Sequence, residues 1–244
     1  MSGKGFCAGI FAAGDGTRLK ASFPGLIKPM VPVGGKPLVH WAVEQLRAAG
    51  CDDLTILFNS RGGTAAEYLR ASFPGFKFEF ITKDTPTSYE SFRLVSRTLA
   101  AKAQDFLMTT VDALYDSARL AEFFASSRQS GAPAAFGVTD AINDDKPLWV
   151  DLNAKGTITS MGPQAVQKVW ATNGVYYVTA AHADSLPEPG RYRALREFLS
   201  QSVADGARYH SFPISAGADV DDPGDIKLAE EFLLSRGLCG AKTT

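Results

Sequence analysis

Apolar positions follow two different periods along the first 130 residues. Short apolar runs over 6–13, 54–58, 76–81 and 106–111, mostly bounded by Gly, Asp or Asn, have the form of buried strands. Between them apolar residues return every three or four positions, which predicts helices over 37–49, 64–72, 88–101 and 118–127. In the first helix Leu38, Ala42 and Leu46 make a stripe, Pro37 suits the first helical position, and Gly50 suits the stop. Strands alternating with helices in this order predict a mainly parallel sheet covered on both faces.

The second half is richer in strands. Candidates lie over 134–138, 148–152, 157–160 and 169–178, followed by a helix over 192–203, an extended stretch over 207–212 and a last helix over 226–234. No internal repeat, low-complexity linker or charged tail interrupts the chain. Residues 1–244 therefore read as one α/β domain with a mixed sheet: a first half of about 1–130, and a second of about 131–244 forming a substrate lobe.

Composition narrows the function classes. About 45% of the 244 residues are apolar, enough for a large core. Twenty-five basic residues face 26 acidic ones, so net charge gives no reason to expect nucleic acid or an anionic membrane as partner. No apolar run approaches the roughly 18 residues that span a bilayer, and the run after Lys4 ends in a Gly-rich turn, as a first strand does. Cys7, Cys51 and Cys239 are odd in number and too scattered for a metal site; reduced structural thiols suit a cytoplasmic protein. His40, His182 and His210 show no metal-site or triad spacing, and His40, beside Trp41 in a predicted helix, reads as structural.

The first strand runs directly into Ala12-Ala13-Gly14-Asp15-Gly16-Thr17-Arg18-Leu19. Glycines let backbone N–H groups approach an anion, and an arginine adds a bidentate phosphate ligand. Ligands of open α/β sheets sit at the carboxyl ends of strands, where this loop falls. The glycines alone equally describe a tight turn: there is no third glycine of a dinucleotide fingerprint and no GxxxxGK[ST]. Downstream, Lys28-Pro29-Met30-Val31-Pro32-Val33-Gly34-Gly35-Lys36-Pro37-Leu38 places two lysines in a Gly/Pro-rich loop. Each is either a solvated loop charge or a cation for phosphate chemistry.

Taken together, AAGDGTRL, then IKPMVPVGGKPL, then a helix resembles the N-terminal signature of sugar-1-phosphate nucleotidyltransferases and their cytidylyltransferase relatives. The match covers about residues 6 to 50, with Ile27 where the family usually has a proline. The resemblance implies a three-layer, Rossmann-like α/β sandwich of the nucleotide-diphospho-sugar transferase (GT-A-like) type. It implies a nucleotide-binding first half and an acceptor-binding second half. It further implies that Ala13, Gly14, Gly16, Thr17 and Arg18 hold the nucleotide phosphates, and that Arg18 and Lys28 stabilise charge in the reaction. Lys28, beside Pro29 in a polar loop, is expected to matter for turnover and little for stability.

Such chemistry calls for Mg²⁺, which takes a few carboxylates plus phosphate oxygens and water. Asp112 closes the strand over 106–111 and matches the family's strand-end metal acid; Asp116 or Ser117 better suits the cap of the next helix. Near the C-terminus, Asp219-Val220-Asp221-Asp222-Pro223-Gly224-Asp225 resembles the family's D-V-x-T-P-E-D-L ending. Asp222 and Asp225 suit a helix start, which leaves Asp219 and Asp221 as metal ligands; two apart in an extended segment, they point to the same side. Asp112, Asp219 and Asp221 are thus expected on one Mg²⁺, with Asp219 favoured over Asp221.

The acceptor side departs from the pattern. Thr85–Ser91 lacks the family's Gly-rich segment, so Ser88 and Ser91 either touch nucleotide or start a helix. Trp170-Ala171-Thr172-Asn173-Gly174-Val175-Tyr176 resembles the N-x-G-x-Y acceptor strand, but the preceding Glu-Lys-Pro is missing. Asn173 and Lys168 are the acceptor-binding candidates, and phosphocholine, a polyol phosphate or a modified heptose phosphate stands beside a sugar 1-phosphate. The expected partners are an NTP and a phosphorylated small molecule, with pyrophosphate as product. A glycosyltransferase using a nucleotide sugar, or a nucleotide-binding regulatory domain, are the competing readings; no mid-chain DxD favours the former. No repeat-built domain follows the last helix, so a bifunctional acetyltransferase is not expected.

Overall fold

A computed structural model of the protein describes residues 5–142, 146–215 and 217–239. The chain order is β1 (Phe6–Ala12), β2 (Pro32–Val33), β3 (Lys36–Pro37), α1 (Leu38–Ala48), β4 (Cys51–Phe58), α2 (Gly63–Ser72), β5 (Lys77–Thr82), α3 (Ser88–Ala100) and β6 (Asp105–Thr110). There follow β7 (Ala113–Leu114), α4 (Ser117–Ser130), β8 (Ala134–Thr139), β9 (Trp149–Leu152), β10 (Ile158–Met161), β11 (Trp170–Thr179) and α5 (Ala180–Ser185). The chain continues through α6 (Leu195–Ala204), β12 (His210–Pro213), β13 (Ala218–Asp219) and α7 (Asp225–Ser235).

The main sheet has nine strands, with the path β10-β9-β11-β6-β1-β4-β5; off this path β8 pairs with β11, and β12 with β8. β5, β4, β1, β6, β8, β12 and β9 run one way; β10 and β11 run the other. The sheet is therefore mixed and mostly parallel. The period of two in β1 explains the layering. Ala8, Ile10 and Ala12 pack with α1, α2 and α4, whereas Cys7 and Phe11 pack with α3 and α6. β4 repeats the division, with Leu54, Ile56 and Phe58 on the first face and Leu57 on the second. Fully buried Tyr89 donates its hydroxyl to the Pro187 carbonyl at 2.6 Å, and burial pushes its pKa up to about 12.

The predicted helices and strands are present with shifted ends. β4 begins three residues earlier than its apolar run suggests, and Pro37 is the residue before α1, its φ of −64° leading into the helix. Asp116 caps α4 by accepting from the Ala118 N–H at 2.8 Å. Asp225 opens α7 and reaches back to the N–H groups of Asp221 and Asp222, both at 2.9 Å. His40 is buried, paired through Nδ1 with the Tyr68 hydroxyl at 3.1 Å. Cys7, Cys51 and Cys239 are free thiols, and burial pushes the Cys51 thiol up to about 12. Among the described residues no helix is long and apolar enough to cross a membrane.

A second, small sheet organises the functional region. β13 pairs antiparallel with β7, Asp219 opposite Ala113 and Ala218 opposite Leu114. The Val220 N–H donates to the Asp112 carbonyl at 3.1 Å, and that of Gly217 to the Leu114 carbonyl at 2.7 Å. Buried Gln45 of α1 acts on the other edge: it donates to the Ala113 carbonyl at 3.0 Å and accepts from the Tyr115 N–H at 2.7 Å. One side-chain amide thus stands in for a neighbouring strand.

Candidate active site

β1 and β6 are parallel neighbours, so the loops leaving their carboxyl ends emerge side by side. The first carries residues 13–18 and the second carries Asp112. The small sheet then delivers the chain from 219 to 221 to the same place. Together they border a cleft of about 610 Å³. Ala13, Gly14, Gly16, Thr17, Arg18, Lys28, Asp112, Asn173, Asp219 and Asp221 all line it.

Lys28 is the centre of the arrangement. Its first-turn position in the 3₁₀ segment Lys28–Met30 leaves it only 8% exposed. Nζ donates to an oxygen of Asp112 and, at 2.6 Å, to Oδ1 of Asp221. Arg18 donates to the second Asp221 oxygen, Oδ2, at 2.8 Å. Burial works to lower the Lys28 pKa, but the adjacent Asp112 and Asp221 carboxylates outweigh it and hold the ammonium above its ordinary range. Desolvation likewise pushes against an ionised Asp112, and Lys28 overcomes it, so that carboxyl lies below the usual range. The site is poised as ammonium and carboxylate.

Two of the glycines hold this geometry in different ways. Gly16 has φ of +56°, and a Cβ there would lie 2.7 Å from the Lys28 Cβ. Gly14 has nothing within 4 Å of such an atom, which is the open approach a phosphate needs. The loop is further tied by the Asn59 amide, which donates to the Ala13 carbonyl at 3.3 Å, and by an Arg61–Asp15 ion pair.

The opposite wall is built by β11 and α6. β11 changes register between Thr172 and Tyr176, and Gly174, φ +87°, lies in that irregularity against Thr110. Asn173 lines the cleft; its amide donates to the Ile214 carbonyl, its own carbonyl accepts from the Tyr115 hydroxyl, and its buried Oδ1 has no partner. Thr87 caps α3 through the Glu90 N–H at 3.1 Å, Ser88 accepts from the Leu195 N–H at 2.9 Å, and Ser91 pairs with Thr85 at 2.6 Å. These hydroxyls therefore fix the start of α3 and α6 while also lining the cleft.

Three expectations change. Lys28 is not a solvated loop charge: it is buried and paired with Asp112 and Asp221, both distant in sequence. Lys168, whose φ is 50°, is not among the residues that line the cleft; it lines a neighbouring hollow with Trp149, Met161 and Gln201, which shares Leu148 and Arg196 with the cleft. Asp112, Asp219 and Asp221 share the cleft but are not gathered as one cage. Among the described residues no three His, Cys, Asp or Glu side chains are grouped to hold a metal, and Lys28 Nζ lies between Asp112 and Asp221. Lys36 lies over the Trp41 ring, 4.7 Å from its centre. Arg196, at the start of α6, was not anticipated. It lines the cleft and donates to the Lys146 carbonyl at 2.9 Å.

The description "MobA-like NTP transferase domain" matches residues 8–201, most of the chain and every loop of the cleft except that of 219 and 221. The chain belongs to the MobA-like NTP transferase family. Relatives are recognisable in sequence. The chain is 24% identical over 243 residues to CMP-5'-(3-aminopropyl)phosphonate synthase of Streptomyces rubellomurinus, covering 91% of this chain and 38% of that protein. It is 30% identical over 158 residues to glucose-1-phosphate thymidylyltransferase of Streptomyces griseus, covering 58% and 43%. This NTP transferase chain thus spans about two-fifths of the length of those relatives. In structure it is similar to the inositol-1-phosphate CTP transferase of T. maritima, with a TM-score of 0.79, 18% identity, and 96% and 98% of the two chains covered. A UDP-glucose pyrophosphorylase complexed with UDP-glucose superposes with a TM-score of 0.75 at 16% identity, covering 95% and 99%. The fold is that of the nucleotide-diphospho-sugar transferases.

Proposed function

We propose that this NTP transferase joins the nucleoside monophosphate of an NTP to a phosphorylated small molecule and releases pyrophosphate. The observation that carries the reading is the buried Lys28, held as an ammonium beside Arg18 and the open Gly14 loop in one cleft. An oxygen of the acceptor phosphate attacks the α-phosphorus, the bond from that phosphorus to the α–β bridging oxygen breaks, and pyrophosphate leaves with the electron pair. Negative charge grows on the oxygens around the α-phosphorus and on the leaving group. Lys28 and Arg18 meet that charge as pre-formed cations, exchanging carboxylate for phosphate with no change of protonation. The cleft has the volume of a small-ligand site. Arg196 gives its far wall a cation for the acceptor's phosphate, the role first assigned to Lys168.

The donor set fits Mg²⁺. A hard cation that keeps several waters and phosphate oxygens needs only one or two carboxylates at a cleft wall, not a protein cage. Asp112 and Asp219 or Asp221 supply them. Bound there, Mg²⁺ would neutralise phosphate charge that the carboxylates would otherwise repel. A cytoplasmic setting suits substrates of this kind.

The reading is tested by screening the common NTPs with Mg²⁺ against sugar 1-phosphates, polyol phosphates, phosphocholine and a phosphonate, with pyrophosphate as readout. One NTP–acceptor pair should release pyrophosphate only when both substrates are present. Transfer of a sugar from a nucleotide sugar, with no pyrophosphate from any pair, would replace this reading with glycosyl transfer.

A further inference from the structure

We propose that the acceptor carries an apolar body on its phosphate, and that this body lies in the hollow beside the cleft. The inference rests on the nucleotidyl-transfer reading and names the class of acceptor: a phosphate monoester of an aliphatic or aromatic alcohol, not of a sugar or a short polyol. The hollow has a volume of about 600 Å³, close to that of the cleft, and the two meet at Leu148 and Arg196. Arg196 stands on this seam. It donates to the Lys146 carbonyl at 2.9 Å, which anchors the guanidinium of an exposed residue. A phosphate held there faces the cleft, and the group it is esterified to continues into the hollow.

The lining is apolar where such a body would lie. Trp149, Met161, Pro163 and Ala165 form one side. On the other, Arg196, Ser200 and Ala204 are four apart, so one stripe of α6 faces the hollow while Phe198, Leu199 and Val203 pack in the core. Two polar side chains of that stripe are engaged beside α6 itself: Glu197 accepts from the Arg193 N–H and Gln201 donates to Asp205, both at 2.7 Å. A sugar or polyol would set hydroxyls against Trp149, Met161 and Pro163, each losing water without a partner. An alkyl chain or ring gains by its burial there. The loop from 162 to 168 is built to shape this space. The carboxylate of buried Asp151 accepts from the N–H groups of Val166 and Gln167, both at 2.9 Å, and so holds the loop by its backbone. At one end Gly162, φ +65°, comes so close to α6 that a Cβ would collide with the Ser200 Oγ. At the other end Lys168 has the one positive φ outside glycine among the described residues. Such strain persists where the surroundings enforce it, and it gathers at ligand sites. Between these two points the loop and α6 enclose the hollow.

The test uses the whole chain with Mg²⁺ and each of ATP, CTP, GTP, UTP and dTTP. It reads pyrophosphate release with methyl, propyl, hexyl and phenyl phosphate, glycerol phosphate and glucose 1-phosphate as acceptors. With the active NTP, kcat/KM should rise roughly threefold per methylene from methyl to hexyl phosphate, the scale of burying one CH₂. Hexyl or phenyl phosphate should exceed glucose 1-phosphate by about tenfold or more. Ala204→Trp fills the hollow from an exposed position of α6. It should remove the length dependence, bringing methyl and hexyl phosphate within about twofold of each other, with the loss in KM for the hexyl ester. Gln201→Trp is the second variant should Ala204→Trp fail to fold by circular dichroism. Glucose 1-phosphate or glycerol phosphate used better than hexyl phosphate, rates independent of chain length, or a length dependence that survives filling of the hollow would each overturn the inference and leave nucleotidyl transfer in place. No pyrophosphate from any NTP–acceptor pair, sugar and polyol phosphates included, would instead overturn the nucleotidyl-transfer reading beneath it.

Discussion

Gly16 and Gly14 are two residues apart in one loop, and replacing each by alanine should have opposite consequences. At Gly16 the backbone is left-handed, φ +56°, which costs a non-glycine residue about 1 kcal/mol. The added Cβ would also lie 2.7 Å from the Lys28 Cβ, about 1 Å inside ordinary carbon–carbon contact. That neighbour is close to the backbone, so it cannot swing away as a chain tip can. Lys28 must shift at its root, and its Nζ moves off Asp112 and Asp221. Displacing a charge donor by about 1 Å costs roughly 10²-fold in rate. Gly16→Ala should therefore lose about 10²-fold in kcat and melt at lower temperature, even though no ligand contact is removed. At Gly14 an added Cβ meets nothing within 4 Å, so Gly14→Ala should melt like the parent. Its effect, if phosphate approaches that backbone, is confined to a higher KM for the NTP. Pyrophosphate release and thermal melts of both variants measure this. Parent-like turnover and stability in Gly16→Ala would refute the claim that Gly16 exists to seat Lys28.

Lys28→Met leaves Asp112 without its buried cation, so it should cost about 3 kcal/mol of stability in denaturant titrations and on the order of 10² in kcat; a variant as stable as the parent would contradict the ion-pair assignment. Arg196→Ala should raise KM for the phosphorylated acceptor at least several-fold while leaving KM for the NTP near normal, and equal effects on both would remove Arg196 from the acceptor wall. Away from the cleft, Asp53 is buried; desolvation opposes its charge, but bonds from Lys102 and Lys77 overcome it and hold the carboxyl below its usual range. A depressed folded-state pKa gives stability that is present above the unfolded value of about 3.9 and lost as pH falls through the folded one. Thermal melts of Asp53→Asn should accordingly fall below the parent at pH 7, with the gap closing below about pH 3.9; a gap that stays constant with pH would exclude the ionised pair.

The Gly14–Arg18 side of the cleft is legible in the sequence because one short segment carries it. A buried strand, a loop with Gly14 and Gly16, and Arg18 follow one another, so placing β1 places them all. Asp112 was legible for the same reason, since β6 is an apolar run with a single acid just beyond it. What escaped depended on partners far away in the chain. Lys28 looks solvated in its Gly/Pro loop, and only Asp112 and Asp221, 84 and 193 residues further on, make it a buried ion pair. β7 and β13 have two residues each, too few for any period to show, yet their pairing alone brings residue 219 beside residue 113. Gln45 sits on the apolar side of α1 and has no local mark of its role at both ends of β7. Lys168 suggests itself as the lysine of the missing Glu-Lys-Pro, yet it lines the neighbouring hollow, whereas the start of α6, distant in sequence, brings Arg196 to the border of both.

The central claim is that the α–β bond of an NTP is broken by an acceptor phosphate. It is tested most directly with the active NTP–acceptor pair and NTP labelled in parallel at the α- or the γ-phosphorus. The account predicts that the α-label appears in a new nucleotide–acceptor product and the γ-label in pyrophosphate, each at one equivalent per turnover, with both rates falling together in Lys28→Met. Release of the γ-label as orthophosphate, or an α-label that never joins the acceptor, would contradict it.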